Sequence, residues 1–225
     1  VPRAFVIAVV GAESTGKTVL ARDLASALAR GASRVAVVPE ALREFCAREH
    51  RTPAAHEQAR LAREQTQRIE RATAEHDLVI ADTTALMTAA YSTHYFADRS
   101  LQAQALAEQR RYDLTLLMAP DLPWTADGLQ RDSAAARAEV DAILRRLLHQ
   151  GAVDHAVIHG DGPARLAQAL AAVHAARRLR DHGRPLVRWS WRCPDCDDGA
   201  CERHVLKALR AAAIDAGRTG PQALS

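Results

Sequence analysis

Lysine is nearly absent: Lys17 and Lys207 are the only two in a 225-residue chain whose other basic side chains are all arginine. A compact ammonium therefore stands out where it is kept, and phosphate is a partner that suits it. Long apolar runs are lacking as well. The run at residues 4–10 is far too short to cross a bilayer, so it reads as a strand and not as a span or a leader, and the chain is expected to be cytoplasmic. No block of one charge occurs. Thirty basic and 27 acidic residues give a formal charge of +3, and the arginines alternate with Asp and Glu, which gives no mandate for nucleic-acid binding and makes nucleic acid an unlikely partner. Cysteine is scarce outside one short segment, with Cys46 alone elsewhere. Internal repeats are absent. With 48% hydrophobic and 25% charged residues, extensive disorder is excluded and one α/β domain with an appendage is within reach.

What is present begins directly after the first apolar run. Gly11-Ala12-Glu13-Ser14-Thr15-Gly16-Lys17-Thr18 fits G-x-x-x-x-G-K-[ST] at every constrained position, between a strand and a helix-forming stretch. Glycines let successive N–H groups turn toward a phosphate, and the following helix directs its positive end at that anion. Lys17 reaches the β and γ oxygens, and Thr18 offers an oxygen to Mg²⁺. The residues 11–18 are thus expected to bind ATP.

Further apolar runs at 35–38, 78–81, 114–118 and 156–158 alternate with helical stretches at 17–30, 55–75, 86–95, 101–111, 134–149 and 165–180. Nearly continuous apolar strands separated by helices predict a five-stranded parallel sheet covered on both faces. The expected class is an α/β P-loop NTPase, kinase-like, occupying residues 1–181. After Asp181-His182-Gly183-Arg184-Pro185 the pattern changes, and residues 182–225 are expected to form a Cys-rich appendage.

Asp82 ends an apolar run, the arrangement by which P-loop proteins hold Mg²⁺ or its water shell; an Asp opening an ordinary turn is the alternative. Glu40, after the second run, is placed to take the proton of an acceptor hydroxyl, with Arg43 one helical turn on; a helix N-terminal Glu with a solvated Arg partner is the plainer reading. The segment 120–132, rich in turn residues, is placed to close over a triphosphate, with Arg131 and Arg137 available to stabilise charge on the transferred phosphoryl group. Trp124 and Tyr95 are candidate surfaces for a substrate ring and Asp127 a candidate substrate contact, although Tyr91 and Tyr95 at helical spacing also suit a core.

These residues together resemble the NadR-type nicotinamide riboside kinase domain and its wider family of P-loop ATPases. The likeness rests on Glu13-Ser14-Thr15 inside the phosphate loop, Pro39-Glu40 with Arg43, Ala81-Asp82-Thr83, and Arg111-Tyr112-Asp113-Leu114 leading to Pro123-Trp124-Thr125-Ala126-Asp127-Gly128-Leu129. It spans roughly residues 5–180. The resemblance implies a kinase-like fold and ATP-dependent phosphorylation of a ribosyl 5′-hydroxyl, with Lys17, Thr18, Glu40, Asp82 and the Arg131 region in corresponding places. Two departures bear on the acceptor: Pro39 stands where the family has an aromatic, and Thr84 where it often has Asp.

Cys193, Cys196, Cys201 and His204 offer C-x₂-C-x₄-C-x₂-H, a set suited to one structural Zn²⁺; reactive thiols, a disulfide or an iron–sulfur cluster are the alternatives. This segment lies outside the resemblance. It also supports a rival function, a regulatory or nucleic-acid-associated ATPase that recruits a protein partner or single strands through the tail.

Overall fold

Every residue of β1 (Phe5–Val10) is buried, because the strand lies between two helical layers. The computed structural model describes residues 3–31, 34–123 and 134–181. β2 (Val35–Val38), β3 (Leu78–Asp82), β4 (Leu114–Met118) and β5 (His155–Ile158) join β1 in one parallel sheet of order β2-β3-β1-β4-β5. The helices are α1 (Lys17–Leu28), α2 (Ala41–Glu49), α3 (Ala55–Glu75), α4 (Ala85–Phe96), α5 (Gln102–Gln109), α6 (Ala134–Gln150) and α7 (Gly162–Asp181). The expected five-stranded, helix-flanked parallel sheet is what forms.

Alternate residues of β1 serve opposite layers, as a two-residue period requires. Phe5, Ile7 and Val9 meet Leu20, Leu24 and Leu28 of α1 and Ala169 and Val173 of α7. On the other face Val6 packs near Ile69 of α3, and Val10 joins α4 and α6 through Leu86, Val140 and Leu144. Burying each Leu, Ile or Val contributes about 1.5–3 kcal/mol, so this double layer is what holds the strand ends in register. Among the described residues no helix is long and apolar enough to cross a membrane.

Two helices depart from the sequence reading. α1 stops at Leu28 and tightens into a 3₁₀ turn at Ala29–Gly31. α2, anticipated only as a helical turn after Glu40, runs to Glu49 and is held by Phe45 and Cys46 packing on Leu61 of α3. α3 begins where Glu57 reaches back to accept the Ala54 N–H at 2.8 Å, half of a capping box.

The register fixes the site. Val38 lies opposite Ala81, and Val9 opposite Asp82, so β1, β2 and β3 end together. The chain goes from β1 to the β2 edge, returns to β3, then crosses to β4 on the other side of β1. The end of β1 is therefore the switch point where a doubly wound sheet opens a ligand crevice.

Candidate active site

The phosphate-binding loop closes through its own bonds. At Gly11, with φ 154°, a Cβ would lie 2.8 Å from Met118 Cβ, so only glycine lets the loop leave β1 beside β4. Gly16, at φ 77°, is the left-handed N-cap of α1, and its carbonyl accepts the Leu20 N–H at 3.0 Å. The Thr15 hydroxyl and Lys17 Nζ both donate to the Ala12 carbonyl at 2.8 Å. Ser14 sits at φ 55° at the loop's tip. The ammonium is thus parked on backbone, inside the loop that it would leave to meet phosphate.

Three carboxylates, Glu40, Asp82 and Glu13, surround Lys17, and all are buried. Burial pushes the Lys17 pKa below its ordinary value, against the three carboxylates that raise it. Burial likewise pushes Glu40 above the usual carboxylate range, opposed by Lys17 and Arg43. Arg43, half-exposed, lies 3.5 Å from Glu40 Oε2 and donates to the Thr18 hydroxyl at 3.1 Å. It ties the expected acceptor side to the expected metal side.

Asp82 Oδ1 is buried without a hydrogen-bond partner. An orphaned carboxylate oxygen beside the end of β1, where the phosphate loop begins, is a hard oxygen donor that fits Mg²⁺. Among the described residues no group of three His, Cys, Asp or Glu side chains forms a closed metal site.

Two residues without any foreseen role organise this centre. Gln65 of α3, almost wholly buried, accepts the Ala41 N–H at 2.8 Å and donates to the Thr83 carbonyl at 3.3 Å. It thereby clamps the peptide after Glu40 to the peptide after Asp82. Thr83 itself is held at φ 75°, with its N–H on the Val9 carbonyl at 3.1 Å. Arg165, at the start of α7 and buried, donates to the carbonyls of Thr15 and Gly160, to that of Ala119 at 3.2 Å, and pairs with Asp121. One guanidinium joins the phosphate loop to the ends of β4 and β5. A helix-initial Arg was the only sequence signal for it.

Thr84, where the resembled family often has Asp, caps α4: its hydroxyl accepts the Leu86 N–H at 3.3 Å and donates to Gln109 Oε1 at 2.7 Å. Pro39 is exposed, so the position offers no ring surface. Tyr91 is buried against the site, and its phenol is pushed well above its usual range by burial, then by Glu13 and Glu40. Tyr95, a turn further along α4, is 42% exposed and 6.3 Å from Tyr91 between ring centroids. Arg137 is buried on α6 and donates to the Leu122 carbonyl at 2.8 Å. Trp124, Asp127, Arg131, Cys193, Cys196, Cys201 and His204 lie outside the described residues.

Two solved structures of NadR protein, one in complex with NAD and AMP-PNP and one with NR, share this fold with a TM-score of 0.63 at 23% identity. Each covers 77% of this chain, which spans only 49% and 50% of theirs. The thymidylate kinase from Ehrlichia chaffeensis matches with a TM-score of 0.56 at 17% identity, over 77% of this chain and 99% of its own. At such identities the likeness is one of fold: a NadR-like P-loop architecture shared with a nucleotide kinase. No curated protein matches the chain significantly. Residues 6–165 match the family described as AAA domain. A match that runs from within β1 to the Arg165 clasp takes in the phosphate loop and all five strands, and the chain accordingly belongs to this AAA domain family of P-loop proteins.

Proposed function

We propose that the chain transfers the γ-phosphoryl group of MgATP to a hydroxyl of a small nucleoside-like acceptor, with nicotinamide riboside the leading acceptor. The observation that carries this reading is the pair of buried carboxylates, Glu40 and Asp82, at the ends of neighbouring strands beside Lys17. One carboxylate suffices for a metal. A second, with a proton affinity raised by burial, suits a group that takes a proton from an acceptor. The NadR structures, which hold NR or a nucleotide, support the choice of acceptor class.

In the proposed reaction the acceptor oxygen bonds to the γ-phosphorus and the bond to the β,γ-bridging oxygen breaks. ADP leaves, and the hydroxyl proton passes to Glu40. Lys17 moves from the Ala12 carbonyl to the β and γ oxygens, while loop N–H groups hold the β-phosphate. Thr18 and Asp82 would hold Mg²⁺, which when bound neutralises phosphate charge. Arg43 keeps Glu40 and Thr18 in register. In the segment that follows β4, Arg131 remains our proposed transition-state cation, and Trp124 and Asp127 our proposed acceptor contacts. The spacing of Cys193, Cys196, Cys201 and His204 by itself supports one bound zinc, decided by metal analysis of the full chain.

The test is ADP release from MgATP with a panel of nicotinamide riboside, cytidine, uridine and thymidine against a no-acceptor control. Acceptor-dependent release with a phosphorylated product supports the kinase. Acceptor-independent hydrolysis stimulated by nucleic acid overturns it in favour of a nucleic-acid-associated ATPase.

A further inference from the structure

Glu13 is part of the phosphate loop, where its N–H can serve a triphosphate but its carboxylate cannot, because like charges repel. Its environment compounds the problem. The residue is 8% exposed, and neither carboxylate oxygen has a partner at full hydrogen-bond geometry, the Tyr91 phenol being the donor that comes within reach. The loop does not bend to serve it. The tip is fixed by Thr15 donating to the Ala12 carbonyl and by the left-handed Ser14, and Lys17 is bonded to that same carbonyl and not to Glu13.

A buried carboxylate with most of its acceptor sites open destabilises a fold, and such a group is kept where a ligand supplies the remaining donors. What surrounds Glu13 says which ligand. Lys17, the phosphate end, and Glu40 both lie within electrostatic reach of it. The Tyr91 phenol lies nearer still, within hydrogen-bonding reach. Tyr91 leads outward along α4 to the half-exposed Tyr95. Glu13 thus shares its surroundings with the carboxylate proposed to take the reacting proton and with an aromatic side chain that leads to the surface.

We propose that Glu13 is an acceptor-binding residue: its carboxylate accepts hydrogen bonds from sugar hydroxyls other than the one phosphorylated, with Tyr91 as the wall behind them. The inference rests on the kinase reading above and adds the chemistry that the site selects, a polyhydroxylated ribosyl acceptor in preference to its deoxy analogue. A hydroxyl donating to a carboxylate is worth roughly 10- to 100-fold in binding when lost.

The experiment compares the parent with Glu13→Gln on whichever nucleoside of the panel the parent phosphorylates, and on its 2′-deoxy and 3′-deoxy forms. The expected result is an acceptor KM raised about 10- to 100-fold, with the KM for MgATP and the Mg²⁺ requirement within about twofold of the parent. That penalty should shrink on the deoxy form that lacks the contacted hydroxyl. Thermal unfolding without ligand supplies a second readout: removing a buried carboxylate with most of its acceptor sites open should leave Tm equal or higher, whereas a structural Glu13 would lower it. A shifted Mg²⁺ requirement places Glu13 at the metal and overturns the proposal, as does an unchanged acceptor KM. A parent that phosphorylates nothing in the panel refutes the kinase reading, and the role of Glu13 with it; an active parent with an indifferent variant refutes the role alone.

Discussion

Replacing Gln65 with Leu removes one side chain and disconnects two strand ends. The Ala41 N–H belongs to the first turn of α2 and has no partner within its own helix; with Gln65 gone it loses the bond measured at 2.8 Å, and the Thr83 carbonyl loses the one at 3.3 Å. Both groups are enclosed with Gln65, which is 2% exposed, so water cannot readily replace it. Each stranded group costs about 1–3 kcal/mol, giving ~2–6 kcal/mol together. For a domain of this size that lowers Tm by about 4–24 °C. The kinetic effect is separate. Because Ala41 follows Glu40 and Thr83 follows Asp82, loosening the clamp displaces both carboxylates, and kcat should fall on the order of 10²-fold at a temperature where the variant is fully folded. Gln65→Glu, which keeps the acceptor toward Ala41 and loses the donor toward Thr83, should fall between. Thermal melts followed by steady-state kinetics well below Tm separate the two effects. A variant that melts early but retains full kcat when folded would show that Gln65 supports α2 alone and positions neither carboxylate.

Lys17→Met should weaken MgATP binding at least tenfold, the scale of a charge-assisted phosphate contact, as read by titration calorimetry; unchanged affinity would remove the phosphate loop from the site. Glu40→Gln should lower kcat about 10²-fold or more with ATP binding near normal. Burial raises the Glu40 pKa, so in the parent the rate should climb with pH through a value above the usual carboxylate range, and a variant that keeps this acid limb assigns it to another group. Arg51, then the Ala54 N–H, hold the Glu57 carboxyl down to about 2 against an ordinary 4.5. A lowered folded pKa contributes stability that is complete above pH 4.5 and lost as pH falls toward 2. Glu57→Gln should therefore melt earlier than the parent at pH 7 and match it near pH 2; equal melting at pH 7 would refute the cap.

The sequence by itself determined the features that live in contiguous residues. The phosphate loop is one run of eight residues whose two glycines and Lys17 each answer a local demand, and β1 is an unbroken apolar run because burial on both faces leaves it no polar position. β2 and β4 accordingly fall on the very residues read as strands. α2 was legible only as a turn after Glu40, for the complementary reason: its extent depends on Phe45 and Cys46 finding Leu61, a pairing that no local pattern encodes. The centre itself was half legible. Glu40 and Asp82 announced themselves at the ends of strands, and the register of β2 against β3 then set them on neighbouring strands. Only the tertiary structure could show that Gln65 bridges partners 24 and 18 residues away, or that Arg165 reaches the Thr15 carbonyl across 150 residues. The same holds for Glu13, whose place in the motif suggests phosphate while its buried carboxylate, met by Tyr91 and otherwise open, points elsewhere. The physical reason is common to all three: a polar side chain declares its chemistry in the sequence, but its partners are chosen by whichever backbone groups the packed layers bring to it and seal from water.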